Sequence, residues 1–432
     1  MMRRRMMCRL ACCTLLVLCA QAHAEIDSVP NPLTFEYALA QASVATHYQL
    51  IEASASIEQA QSQTYSARAA SEWQARLDLQ ASVFEPSPFA IDQSNEEFSS
   101  RLRIEKLLYD FGRSSLLEQS ATIKQDAVQA YTDYVIEQRR LEIARQYLAI
   151  LLADLRYARE DEAMAVAYVQ YRSAQDRRAL SQTSDVDLLA SETQYQNTLN
   201  QRIESDNNRR GSRALLAELM NTPDALATNL VRPKFSLQRD VADYKTLLEK
   251  SLTGNPRVLL MQAAVESSQK KLLSAQYLSR PSLNAEVDVR DSTIDRSSQD
   301  DWRASLILRI PLLEQQSVKA QVSAERSQWL SQRAMLMQEQ STLRQRVLTL
   351  WQQIPLLKIR LEQMKTRAEF SELYLDRSRA LYELEVKTDL GDAMVAMSEM
   401  RFQQAQVEFE LALAWMELDL LTGHHPTQTT IE

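Results

Sequence analysis

The chain has few residues that bend or staple a fold. Of its 432 residues only five are glycine and four are cysteine. All four cysteines (Cys8, Cys12, Cys13, Cys19) lie near the N-terminus, in a segment graded like an export signal. Arg3, Arg4, Arg5 and Arg9 come first, then an apolar stretch around Leu15 to Cys19, then Ala22-His23-Ala24 as a small-x-small cleavage site. Cleavage after Ala24 is expected, so residues 1–24 are the predicted signal peptide and the mature chain has no cysteine. Disulfides are then excluded, and packing alone must hold an exported protein together. The apolar stretch is too short for a bilayer anchor. The bulky Leu18 directly before Cys19 argues against a lipoprotein signal.

Long hydrophobic runs are also missing. No stretch after the signal reaches the 18 or so apolar residues that a membrane helix needs, so any crossing must be made by strands. Base is in deficit. Four of the 49 basic residues leave with the signal, and the remaining 45 face 57 acidic ones, a balance of −12. Such a chain is a poor nucleic-acid binder. Of the mature histidines, His47 stands alone and His424-His425 lie near the C-terminus, a spacing that suits no metal. There is no phosphate-cradling glycine loop and no nucleophile motif. Neither an enzyme nor a cofactor is expected.

What remains is rich in Ala, Gln, Leu, Glu and Arg, the composition of long helices. From Gly112 to about Ala174 neither Pro nor Gly interrupts the chain. A helix of about 60 residues is roughly 90–95 Å long and must pack lengthwise against equally long partners. A second such stretch runs from Leu312 to about Leu384, with Pro355 expected to bend or break it near the middle. The segment from Leu33 to Trp73 also has a helical pattern.

The chain says the same thing twice. "LLYDFGRSSLLEQSATIKQDAV" (107–128) parallels "PLLEQQSVKAQVSAERSQWL" (311–330), and "TSDVDLLASETQYQNTLNQ" (183–201) parallels "KTDLGDAMVAMSEMRFQQAQ" (387–406). The mature chain divides into tandem repeats, 25–232 and 233–432, joined at "TPDALATNLVRPKFS" with Pro223 and Pro233 as breakers. Each repeat holds two alternating runs, predicted as strands at about 75–84 and 97–107, then 282–290 and 302–310. Leu77, Leu79, Leu102, Ile104, Val287, Val289, Leu306 and Leu308 mark the apolar faces; Arg76, Asp78, Arg101, Arg103, Glu286, Asp288 and Arg303 mark the polar ones. Strands of this length and period match those of outer-membrane barrels, or a soluble sheet with one buried face. Four strands cannot close a barrel, so the membrane reading requires several copies. Trp73, Phe84, Phe98, Tyr109 and Trp302 sit at strand ends, as an interfacial aromatic girdle would.

The signal, the duplication, "LLYDFGRSSL" with "LRIPLLEQQSV", "SQTSDVDLLASETQYQ" with "VKTDLGDAMVAMSEM", and the closing "LLTG" together resemble the TolC family of outer-membrane efflux proteins. The resemblance spans nearly the whole mature chain. It implies a mainly α fold with a small β part. Three protomers would each give four strands to one trimeric 12-stranded outer-membrane β-barrel, and their long helices would form a periplasmic α-barrel. The implied role is the passive exit duct of a tripartite efflux or type I secretion system in a Gram-negative outer membrane. Its partners would be a periplasmic adaptor protein, an inner-membrane transporter (proton-driven pump or ABC exporter) and outer-membrane lipid. Small toxic molecules, metal ions and unfolded polypeptide all fit as cargo. A soluble periplasmic or surface coiled-coil scaffold is the competing reading, separated by membrane fractionation.

The resemblance also assigns residues. Gly112 and Pro311 would sit at strand–helix junctions. Asp389 and Asp392, and with less support Asp185 and Asp187, would ring the periplasmic entrance; such acids in a first helical turn also serve as ordinary caps. Arg177, Arg178 and Lys387 would form entrance ion pairs or touch the adaptor. The usual glycines at the turns are replaced by Ala179 and Lys387.

Overall fold

A computed structural model describes residues 30–86, 89, 92–223, 228–294, 300–312, 315–386 and 389–423. The signal segment, Lys387 and His424-His425 lie outside these. The order of elements is α1 (Phe35–Ala40), α2 (Tyr48–Ala69), β1 (Gln74–Val83), β2 (Glu96–Tyr109), α3 (Arg113–Ala179), α4 (Asp185–Leu219), α5 (Tyr244–Gly254), α6 (Pro256–Gln276), β3 (Ser282–Ser292), β4 (Trp302–Arg309), α7 (Gln315–Glu383) and α8 (Leu390–Leu421). Helix, strand, strand, very long helix, helix thus occurs twice. At 1.5 Å per residue, α3 and α7 are each about 100 Å long. No helix among the described residues is long and apolar enough to cross a membrane.

The long helices are stabilised by partners rather than by themselves. Helix α3 packs along α4, α6, α8 and α2, and α7 along α8, α6 and α5. Where α3 meets α6, Ser120 and Ser267 each donate to the other's carbonyl oxygen, at 2.8 and 2.9 Å. Only small side chains permit that approach. Two hydrophobic clusters lie against the middles of α3 and α7. One gathers Phe35, Ile143, Tyr147, Leu148, Leu216 and Phe409. The other gathers Val258, Val347, Leu350, Ile354, Leu357 and Trp415. Helix α8 feeds both, with Phe409 and Met416 on one side and Leu411 and Trp415 on the other, so its C-terminal half buries apolar residues on two faces.

Two expectations are corrected. Pro355 does not break its helix: α7 is continuous across it. The proline forfeits one backbone hydrogen bond and crowds the preceding turn, but Ile354 and Leu357 beside it are almost wholly buried in the second cluster. At roughly 1.5–3 kcal/mol for burying each such side chain, that packing offsets a proline cost of about 3 kcal/mol. The N-terminal helical pattern, conversely, is interrupted. A 3₁₀ turn (Gln41–Ser43) separates α1 from α2. His47 then caps α2 by accepting from the Gln49 amide at 3.3 Å. Arg139 of α3 holds this break in place. Its guanidinium donates to the Ala42 carbonyl at 2.8 Å, to Gln49 Oε1 at 3.0 Å, to the Leu219 carbonyl at 3.3 Å, and to His47 Nδ1. Burial, and after it the Arg139 charge, holds the His47 imidazole below its ordinary pKa, so its Nδ1 remains an acceptor.

The four strands form one antiparallel sheet in the order β1-β2-β3-β4. The central pair, β2 with β3, joins the two repeats. In this order β1 and β4 each have one unpaired edge within the chain.

Candidate functional site: the sheet faces, the junctions and the helical turns

Strand register sorts the side chains into rows. Leu77, Leu102, Val289 and Trp302 form one row, and Ala75, Ile104, Val287 and Ala304 the next. Leu306 and Leu308 continue that face, paired with Ala285 and Leu283. It is open to the outside of the chain: Leu79 is 63 % exposed and Leu306 73 %. An apolar patch left this bare marks a surface that engages something outside the chain. The opposite face carries charges of both signs. Arg76, Arg103, Asp288 and Arg303 form one row, and Gln74, Glu105, Glu286 and Ser305 the next. Asp288 accepts from Arg103 at 3.1 Å and lies 3.1 Å from the Arg101 guanidinium. One face is therefore apolar and bare, and the other is polar and internally paired.

The first strand–helix junction needs its glycine for conformation. Gly112 has φ +88°, a region that residues with a Cβ rarely adopt, and a Cβ there would meet nothing. Phe111 before it is also left-handed, at φ 60°. Asp110 makes this double turn possible: one carboxylate oxygen accepts from the Gly112 amide at 3.1 Å, the other from the Ser114 amide at 2.8 Å. Asp110 was not singled out from the sequence, although an acid three residues before a long helix is a capping signal. In the second repeat Pro311 follows the end of β4, past the last ladder residue Arg309, where a missing amide donor costs little.

Both long helices end in tight left-handed turns. After α3, Ser181 has φ 58° and the Gln182 amide donates to the Arg177 carbonyl at 2.8 Å. After α7, Glu385 has φ 57° and the Val386 amide donates to the Leu381 carbonyl at 3.0 Å. Glycine usually holds this position. The acids of the first turn are occupied locally. Asp185 is paired with Arg178 at 2.5 Å. Asp187 closes a capping box with Ser184, whose hydroxyl accepts from the Asp187 amide at 3.1 Å. The hydrogen bond and charge of Arg178 hold Asp185 below the usual carboxylate pKa, and the Ser184 hydroxyl and amide do the same for Asp187. Arg177 makes no ion pair among the described residues.

The second turn differs. Asp389 is the N-cap of α8, yet no first-turn amide is bonded by its side chain. Asp392 is exposed and has no ion pair among the described residues. It lines a groove of about 520 Å³ between α3, α4 and α8, together with Arg159, Glu160, Gln194 and Glu399. Gly391 brings α8 this close to α3: a Cβ there would lie 2.8 Å from Val166 Cγ2. The sequence reading missed Gly391 as a contact, though the scarcity of glycine was the available signal. Deeper along α3, Arg159 reaches Glu399 of α8 at 2.5 Å and Arg202 of α4 reaches Asp161 at 2.5 Å.

No protein-family model and no curated protein matches the sequence. Solved structures do match in shape. CusC, studied for its folding and transmembrane channel formation, aligns with TM-score 0.72 and 14 % identity over 90 % of this chain and 92 % of that one. The outer membrane protein VceC of Vibrio cholerae gives 0.69 and 15 %, over 91 % and 95 %. The CmeC outer membrane channel of Campylobacter jejuni gives 0.74 and 12 %, over 90 % and 86 %. At such low identity the likeness is one of fold: four strands and long paired helices arranged as in outer-membrane channels.

Proposed function

We propose, from this shared fold, that the chain is one third of an outer-membrane exit duct. Three copies complete a 12-stranded barrel through their unpaired β1 and β4 edges, and their helices continue into the periplasm as a tunnel. The observation that carries this reading is the sheet itself. It has two unpaired edges within the chain, a bare apolar face suited to lipid, and a charged face suited to a water-filled interior. Leu77, Leu79, Leu102, Ile104, Val287, Val289, Leu306 and Leu308 then face lipid. The two helical turns lie at the tunnel's periplasmic entrance. There Asp392, threefold repeated, forms an acidic ring with Asp389 behind it, while Asp185 and Asp187 serve mainly as caps. Arg177, and Lys387 with it, are contacts for a periplasmic adaptor. The duct is passive, and an inner-membrane transporter supplies the energy.

The absence of cysteine from the mature chain makes the test direct. Cysteine pairs scanned along β1 and β4 should yield disulfide-linked trimers from outer-membrane fractions, and images of the detergent-purified particle should show threefold symmetry with a central channel. A water-soluble monomer that needs no detergent would overturn the reading in favour of a periplasmic scaffold.

A further inference from the structure

We infer that the helix-side end of the apolar sheet face is a binding site for the phosphate headgroups of phospholipids in the periplasmic leaflet. The inference rests on the membrane reading above and names the lipid class that the sheet engages. Lys106 is the one cation on the apolar face of the four strands. Its row contains Ala285 and Leu306, and Trp73 lies across from it, one residue beyond the Gln74–Glu105 pair. The ammonium sits 5.2 Å from the centre of the Trp73 ring. A lysine so placed lays its stem on apolar surface and turns its charge toward water. The aromatic face holds one side of the ammonium and leaves its N–H donors for an anion.

The next row toward the helices is Tyr109 with Leu283 and Leu308. Phe111 packs against Tyr109 at a tilt of 57°, with ring centres 4.9 Å apart, and the exposed Arg280 guanidinium lies 6.0 Å from the centre of the Phe111 ring. Two cations and three aromatic rings, Trp73, Tyr109 and Phe111, thus gather where the strands hand over to the helices. Successive rows on one face are about 7 Å apart, and a headgroup layer is roughly 5–7 Å deep. Lys106 and Arg280 therefore bracket the depth at which a phosphate lies. The far end of the same face carries the opposite sign: Glu96 pairs with Val83, and Asp291 with Ser100. Charge complementarity directs anionic phosphate to the helix side only.

The test is lipid retention. Detergent-purified protein is exchanged with phosphatidylglycerol or with diacylglycerol of the same chains, and bound lipid is counted by native mass spectrometry. Phosphatidylglycerol should remain bound and diacylglycerol should not. The pair Lys106→Gln with Arg280→Gln should lower retention about thirtyfold, from the usual worth of two cations at a membrane surface. Lys106→Arg with Arg280→Lys should keep it, and Arg280→Gln alone serves if the double variant fails to assemble. Equal retention of diacylglycerol, undiminished retention by the glutamine variants, or retention of lipopolysaccharide alone would overturn the site. A protein that binds none of these lipids and stays soluble without detergent would instead overturn the membrane reading.

Discussion

The α3–α4 turn and the α7–α8 turn end the two long helices in the same backbone shape but use their acids differently. In the first, Asp185 is paired with Arg178 and Asp187 is part of a capping box. In the second, Asp389 occupies the cap position without bonding a first-turn amide, and Asp392 points into a groove shared by three helices. The first turn is self-contained; the second depends on its contact with α3 through Gly391. The two halves of the chain have turns of similar backbone shape. Side-chain partners, rather than sequence pattern, separate a turn whose acids close it locally from one whose Asp392 lines a groove between helices.

The largest expected effect separates the two acid pairs. Asp389→Ala with Asp392→Ala should abolish most of the cation selectivity of channels in planar bilayers, because rings of carboxylates set such selectivity. Asp185→Ala with Asp187→Ala should leave it nearly intact. Equal effects of the two pairs would erase the distinction. Next in size is the packing of the second turn. Gly391→Ala should destabilise the α8–α3 contact by about 1–3 kcal/mol, the usual cost of overpacking. Gly211→Ala, in open space on α4, should stabilise its helix by about 1 kcal/mol. Thermal unfolding with limited proteolysis of the turn measures both.

Capping gives a smaller contrast. Ser184→Ala should cost about 1 kcal/mol at the start of α4, read as faster hydrogen exchange there, while exchange at the start of α8 is unchanged. Acid should also act on the first turn. Arg178 lowers the folded-state pKa of Asp185, so this pairing contributes above the ordinary carboxylate pKa and is lost as pH falls through the depressed value. Hydrogen-exchange protection at the α3–α4 turn should therefore fall below about pH 4, and Asp185→Asn should remove the part of that pH dependence due to Arg178, leaving the part due to Asp187. The residue is exposed, so the effect is expected to be small.

Much of this architecture was legible because it is local. A period of two over eight to ten residues marks a strand with unlike faces, and a long absence of Gly and Pro marks a helix. Gly112 stood out because so few glycines exist. What stayed hidden depends on contacts between distant segments. Nothing around Pro355 announces that Ile354 and Leu357 will be buried deeply enough to carry the helix through it. Nothing near His47 points to Arg139, whose guanidinium interrupts a helical pattern from 92 residues away. The likeness of Asp185 to Asp389 in sequence conceals that the former is held by Arg178 while the latter bonds no first-turn amide of its helix.

The sequence by itself determined the helix lengths, the two-faced strands and their duplication, since periodicity and backbone freedom are properties of neighbouring residues. Tertiary structure alone decided which acids are occupied and which helix breaks are tolerated, and it showed the bare apolar face of the sheet. Burial and ion pairing depend on what a fold brings alongside, and that is not written in any one segment.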